Sequence, residues 1–308
     1  MNLVAIVGPT ALGKSSLALH LAGSLSGEII NADSRQVYRC LDIGTAKPTG
    51  EDQALVPHHL LDLVDPDQDF SLALYQSLAY RAVEDVARRG KLPFLVGGSG
   101  LYVWSVLAGW KLPGVPPNPE LRAELLDQAE KRGYEVVYAE LLKADPEAAR
   151  HIDPRNVRRV IRALEVCHSG TLFSRDHGRR GEIPPSTLII GLTAKREELY
   201  CRIDSRVDAM MERGLEDEVR ELIKRGYRIT LPSMSGIGYR QIGAYLEGKL
   251  SLPSAVQQMK FETHRFARHQ YAWFRPGDER IHWMEAGADA ERLAEDLLRR
   301  HLDRKECP

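Results

Sequence analysis

The chain has 308 residues, with 42 Lys and Arg against 43 Asp and Glu and a formal net charge of −1. Hydrophobic residues make up 43% and charged residues 28%, which excludes a disordered chain and a protein that coats nucleic acid by bulk positive charge. The length suits one large domain or two ordinary ones. Cys40, Cys167, Cys201 and Cys307 form no CxxC pair, so no zinc ribbon or redox motif is signalled and a reducing compartment is expected. The first seven residues lack a basic start and carry too short an apolar run for a signal peptide, so a cytoplasmic location is expected.

Leu3–Val7 is a β-branched run ending in Gly-Pro, the pattern of a buried parallel strand. Helical spacing follows over 15–25, at Leu17, Leu21 and Leu25. Residues 28–31 form a second strand, closed by Ala32-Asp33-Ser34. A helix is expected over 72–89 and a third strand over 93–96. The uncharged stretch 92–110 is nearly long enough to cross a bilayer. Gly97-Gly98-Ser99-Gly100 divides it into a strand and a helix, so no membrane span is expected. Prolines 113, 116, 117 and 119 then open an interval that reads as almost all helix, and Pro184-Pro185 closes it. Strands resume at 189–192 and 281–284, separated by helical stretches over 197–224 and 255–274. The alternation predicts an α/β fold, a P-loop parallel sheet flanked by helices, with a mostly helical insertion domain. The expected division is 1–112 with 186–308 for the core and 113–185 for the insertion.

Gly8-Pro9-Thr10-Ala11-Leu12-Gly13-Lys14-Ser15 fits G-x-x-x-x-G-K-[ST] between a strand and a helix. The glycines let backbone N–H groups turn inward around an anion, and the helix N-terminus adds partial positive charge. Lys14 supplies a full charge, and the Ser15 hydroxyl is a candidate Mg²⁺ ligand. The loop therefore marks a di- or triphosphate site without choosing between them. Nucleotide-hydrolysing P-loop proteins carry an acid after an apolar strand, but residues 94–96 run into Gly97 without a carboxylate. Asp33 is the nearest acid in that role. In a parallel sheet both Asp33 and Ser99 lie at the carboxyl edge, which suits group transfer. A helix N-cap at Asp33, ahead of Arg35-Gln36-Val37-Tyr38, is the competing assignment.

Arg155, Arg158, Arg159 and Arg162 share one helix face, opposite Val157, Val160, Ile161 and Leu164. Asp153 is the expected N-cap, with Pro154 in the first turn. Between 150 and 180 stand eight arginines and three acids, a local excess that fits either a polyanion surface or a solvated face. Arg265, Arg268 and His269 form a second basic face, while Tyr271, Trp273 and Phe274 read as core. Arg206 lies close to the apolar side of its helix, where it needs an anion: a bound pyrophosphate or a buried carboxylate.

These motifs coincide in an ordered set that runs essentially end to end and resembles the tRNA dimethylallyltransferase family. The set is the loop at 8–15, Asp33-Ser34-x-Gln36-Val37-Tyr38 and Asp42-Ile43-Gly44-Thr45-Ala46-Lys47-Pro48. It continues with Gly97-Gly98-Ser99-Gly100-Leu101-Tyr102, Arg162-Ala163-Leu164-Glu165-Val166, Gly238-Tyr239-Arg240-Gln241 and Thr263-x-Arg265 ahead of Trp273-Phe274-Arg275. The resemblance implies transfer of a dimethylallyl group from dimethylallyl pyrophosphate to N6 of the adenosine 3′ of a tRNA anticodon. It implies that the loop 8–15 holds pyrophosphate with Mg²⁺, that Asp33 is the general base, and that Ser99, Arg206 and Lys14 assist departure. It places tRNA contacts at Asp33, Ser34, Arg35, Gln36, Arg122, Arg158, Arg159, Val160, Ile161, Arg162, Ser235, Gly236, Ile237, Gly238, Tyr239 and Arg240, with the insertion on the anticodon stem and the chain a monomer. Three positions depart from the family: Ser99 for Thr, Arg268-His269-Gln270 for Lys-Arg-Gln, and the segment Ser235-Gly236-Ile237. A small-molecule phosphotransferase, an enzyme acting on free adenine nucleotides and a non-catalytic RNA-binding module are the competing readings.

Overall fold

A computed structural model describes residues 2–176 and 181–303. Arg179, Arg180 and Cys307 lie outside the described residues. The chain divides into two compact units, Met1–Leu107 with Ile183–Pro308, and Ala108–Glu182.

The first unit is built on a parallel sheet of order β3-β2-β4-β1-β5-β6. The strands are β1 Leu3–Val7, β2 Gly27–Asn31, β3 His58–His59, β4 Leu92–Val96, β5 Thr187–Thr193 and β6 Ile281–Glu285. The central strands bury both faces, which is why they read as unbroken apolar runs. Val4, Ile6, Phe94, Val96 and Ile190 join Leu17 and Leu21 of the helix Lys14–Ser24 in one core. The strand β3 has no apolar signal of its own; backbone pairing of His58 and His59 with Ile29 and Ile30 makes it a strand. The stretch 197–224 is two helices, Arg196–Glu212 and Leu215–Lys224. Gly214, at φ 91°, breaks it, because a left-handed residue cannot continue a right-handed helix. The uncharged stretch 92–110 contains β4 and the helix Gly100–Leu107. Among the described residues no helix is long and apolar enough to cross a membrane.

The second unit packs the helices Pro119–Arg132, Tyr134–Ala144, Pro146–His151 and Val157–His168 around Leu125, Leu141 and Leu164. It opens at Ala108, ahead of the prolines, and the Ala108 carbonyl accepts the Gly181 N–H at 2.6 Å. The arginine-bearing helix does not start at Asp153. Its N-cap is Asn156, whose side chain accepts the Arg159 N–H, whereas Asp153 is taken up by the backbone and guanidinium of Arg155. Arg155 therefore precedes the helix, and its face carries Arg158, Arg159 and Arg162 only.

Those three arginines differ. Arg158 and Arg159 are exposed. Arg162 donates to the Val115 carbonyl at 2.9 Å and to Glu165 at 3.1 Å. Arg122 meets the same carboxylate at 2.7 and 2.9 Å. Val160 and Ile161 are core residues. Glu165 is 3% exposed, and burial pushes its carboxyl up. Arg122, the Asn118 N–H and Arg162 outweigh that and hold it below the ordinary value. The unfolded chain then binds the proton first on acidification, so the stability contributed above about pH 4.3 is lost as pH falls through the lower folded value. Glu165→Gln is expected to destabilise by roughly 1–3 kcal/mol at pH 7. The gap to the unaltered chain narrows towards pH 3 in thermal melts; a constant gap would remove the ionic account.

Candidate active site

Because the strands are parallel, the turns after β1, β2 and β4 meet at one edge of the sheet. The loop 8–15 follows β1. At Gly8, φ is 130° and a Cβ would lie 2.4 Å from the Leu192 carbonyl oxygen, so only glycine fits. The Lys14 ammonium folds back to the Pro9 carbonyl at 2.7 Å. Ser15 is exposed in the first turn of the helix Lys14–Ser24.

Asp33 follows β2 in a tight polar turn. Asn31 Oδ1 accepts the Asp33 N–H at 2.9 Å, and Asp33 Oδ1 accepts the Arg35 N–H at 2.8 Å. Residues 34–37 form bends and turns, so Asp33 caps no helix. Ser99, after β4, accepts the Ser34 N–H at 3.0 Å and donates to the Ser34 hydroxyl at 3.3 Å. Those two bonds fix a hydroxyl rotamer that a threonine would fix with its methyl.

The turns open into a cavity of about 300 Å³. Thr10, Asp33, Ser34, Arg35, Ser99 and Arg206 are among its polar lining residues. Ile203, Val207, Met210, Met259 and Phe266 form an apolar wall. Burial brings the Lys14 ammonium down to about 7, helped by the charge of Arg206 and opposed by Asp33. Arg206 is likewise lowered, first by burial, with Asp33 pulling the other way. Two cations that disfavour each other, beside one carboxylate, form a site short of negative charge.

The remaining sequence candidates fall in two groups. Ser235, Gly236, Ile237 and Tyr239 line the same cavity. The Arg35 guanidinium reaches them, donating to the carbonyls of Pro232 and Ser233 and to Ser235 Oγ at 2.5, 3.1 and 3.1 Å. Gly238 is the N-cap of the helix Tyr239–Leu246. Arg240 is exposed and paired with Glu262, and Gln36 is turned to the carbonyls of Thr45 and Ala46. Arg122 and residues 158–162 belong to the other unit.

The family model described as IPP transferase matches residues 36–277, and that described as isopentenyl transferase matches 1–57. A tRNA dimethylallyltransferase of Roseiflexus castenholzii is 53% identical over 98% of each chain. One from Dehalococcoides mccartyi is 49% identical over 97% of this chain and 92% of its own. The crystal structure of a full-length tRNA isopentenylpyrophosphate transferase from Bacillus halodurans has a TM-score of 0.74 at 40% identity, covering 99% of this chain and 98% of the other. A eukaryotic dimethylallyltransferase acting on tRNA has a TM-score of 0.80 at 28% identity over 97% of this chain and 77% of its own.

The chain belongs to the IPP transferase family.

It is thus an enzyme of tRNA prenylation, and the cavity residues can be read against a prenyl donor and an RNA acceptor. Some residues in and behind this cavity have structural parts that the sequence did not assign to them. Met210 and Met259 sit at helical spacing among core residues and look like packing. Glu218 looks like one more acid on an acidic helix start, yet its carboxylate accepts the N–H groups of Asp42, Ile43 and Gly44 at 3.1, 2.7 and 3.2 Å. It also accepts the Tyr239 hydroxyl at 2.7 Å. Lys47 is 7% exposed, and its ammonium donates to the Tyr38 carbonyl, Asp42 and Asp62 at 2.9, 2.5 and 2.6 Å. One anion and one cation thus clamp the loop that brings Gly44 and Thr45 to the cavity. Trp273, read as core, is 40% exposed, with its ring laid against Gly100.

Proposed function

We propose that the chain transfers the dimethylallyl group of dimethylallyl pyrophosphate to N6 of the adenosine immediately 3′ of a tRNA anticodon. The observation that carries this reading is one cavity in which Asp33, Ser99 and Arg206 stand with Thr10 of the phosphate loop opposite an apolar wall. The loop 8–15, with Lys14 and Arg206, holds the pyrophosphate. The apolar wall takes the five-carbon group and excludes water that would trap it. N6 of adenine is a weak nucleophile because its lone pair is delocalised into the ring. The allylic carbon–oxygen bond breaks and its electron pair leaves with the pyrophosphate. The N6–carbon bond forms, and the N6 proton passes to Asp33. Ser99 and the two cations stabilise the departing charge. The adenine must be extruded from the anticodon loop to reach the cavity.

Ser15 is the residue that would hold Mg²⁺. An exposed hydroxyl completed by substrate phosphates and water is a donor set that suits this ion. Among the described residues no group of three or more His, Cys, Asp or Glu could hold a metal by itself. When bound, Mg²⁺ neutralises pyrophosphate charge. The free thiols of Cys40, Cys167 and Cys201 support a cytoplasmic enzyme.

Residues 113–185 grip the anticodon stem, while Ser34, Arg35 and Gln36 with 235–240 serve the loop. Within the insertion, Arg158 and Arg159 carry the RNA contact, and Arg162 and Arg122 brace Glu165. Replacing Arg158 and Arg159 together by alanine is expected to reduce the salt slope of tRNA binding by roughly 1.4–1.8, whereas Arg162→Ala chiefly lowers thermal stability. An unchanged slope would make the pair a solvated surface.

The direct experiment offers labelled dimethylallyl pyrophosphate with unmodified tRNA, with AMP and with no acceptor. Label is expected in tRNA alone. Equal turnover of AMP would sink the RNA-acceptor reading, and ATP consumption with no prenyl transfer would favour a phosphotransferase.

A further inference from the structure

Gln270 lies on the helix Leu252–Trp273 and is 3% exposed. On the apolar side of that helix a polar side chain needs partners. Its Oε1 accepts the Thr10 N–H at 2.8 Å, and its Nε2 donates to the Gly98 carbonyl at 3.0 Å. A single orientation of the amide satisfies both groups. Thr10 belongs to the phosphate loop, and Gly98 immediately precedes Ser99. The amide therefore bridges the two loops on which the leaving-group chemistry rests. The fit is close: a Cβ at Gly98 would lie 2.2 Å from Nε2. The neighbouring Gly97 is pressed as tightly on the turn of Asp33, since a Cβ there would lie 2.2 Å from the Ala32 carbonyl oxygen. Ser99 in turn binds Ser34. The connection thus runs without a gap from the phosphate loop through Gln270 and Gly98 to Ser99, Ser34 and Asp33.

We infer that Gln270 is a positioning residue that fixes the phosphate loop at working distance from the Ser99 hydroxyl. It does not line the cavity, so it acts through Thr10 and Gly98. It also occupies the Thr10 N–H, leaving the loop's later amides and Lys14 for the anion. A flexible contact would let the two loops drift, and a misplacement of one ångström is costly for transfer. A large aliphatic residue would fill the same space without holding either loop.

The inference rests on the loop 8–15 holding the pyrophosphate, and its test separates the two. The variants are Gln270→Leu, which keeps the volume and removes both bonds, and Gly98→Ala, which displaces the amide from the other side. Each is assayed for kcat and for the KM of each substrate, with tRNA affinity measured by filter binding and folding by thermal melts. Each variant is expected to raise the KM for dimethylallyl pyrophosphate about tenfold and to lower kcat by a similar factor, the scale of one or two lost hydrogen bonds. tRNA affinity stays within about twofold, below the change that one lost hydrogen bond makes. Gln270→Glu, which keeps the acceptor for Thr10 and loses the donor to Gly98, is expected to show the same split. A lower melting temperature with kinetic constants per folded enzyme unchanged would reduce Gln270 to a packing residue and overturn the inference. Loss of tRNA affinity with the donor KM unmoved would overturn it in favour of an RNA contact. If instead Lys14→Ala left both kcat and the donor KM unchanged, the pyrophosphate reading itself would fail, whatever the Gln270 variants did.

Discussion

Lys14→Ala lowers kcat/KM for dimethylallyl transfer by about 1000-fold, with tRNA binding retained, if the loop 8–15 holds the leaving group. The size follows from removing a full charge aimed at developing negative charge in a water-poor cavity, where such groups act strongly. Arg206 lines the cavity from another helix and does not replace the lysine within the phosphate loop itself. The ionisation of Lys14 gives an independent check. In the folded chain its ammonium titrates at about 7, while the unfolded chain keeps the proton to about 10.4. The unfolded state therefore binds more protons across that window, and the folded state gains stability as pH rises through it. An anion beside Lys14 raises its affinity for the proton. Pyrophosphate binding at about pH 8, above the folded value and below the unfolded one, is thus expected to take up a proton. Calorimetry in two buffers of different ionisation enthalpy measures that uptake. A binding heat independent of buffer would place the anion elsewhere.

Asp33→Asn is the second large effect. It keeps the turn, since an amide oxygen can still accept the Arg35 N–H, and removes the one acid that lines the cavity among the described residues. Transfer is expected to fall by roughly 10²–10⁴-fold, the ordinary weight of a general base. Binding of both substrates should change little, because the turn is held by the Asn31 side chain as well. Single-turnover assays with prebound tRNA isolate the chemical step. Unchanged modification in the folded variant would remove the general-base role.

The meeting of the loop 8–15, Asp33 and Ser99 at one sheet edge was legible because its signals are local. A strand, a glycine loop, a lysine and a helix lie within residues 3–24, and parallel pairing of β1, β2 and β4 then puts Asp33 and Ser99 beside them. The helical insertion was legible from prolines at its margins and helical spacing within. The stripe of arginines was misleading, because spacing shows which residues share a face and not what that face meets. Arg162 proved to be tied to Glu165 and Val115, and Asn156 displaced Asp153 as the cap.

What the sequence determined by itself was the set of local elements: the glycine loop, the Asp33 turn, the Ser99 turn and the division into a sheet and a helical unit follow from contiguous residues and short-range periodicity. Only the tertiary structure decided how those groups are held. Gln270 meets Thr10 across 260 positions and Gly98 across 172, and Glu218 meets Gly44 across 174. Such contacts leave no periodic trace, because each is one side chain whose partner is set by how distant helices pack. The apolar wall of Met210, Met259 and Phe266 was hidden for a related reason: a residue that faces substrate and one that faces core obey the same helical spacing.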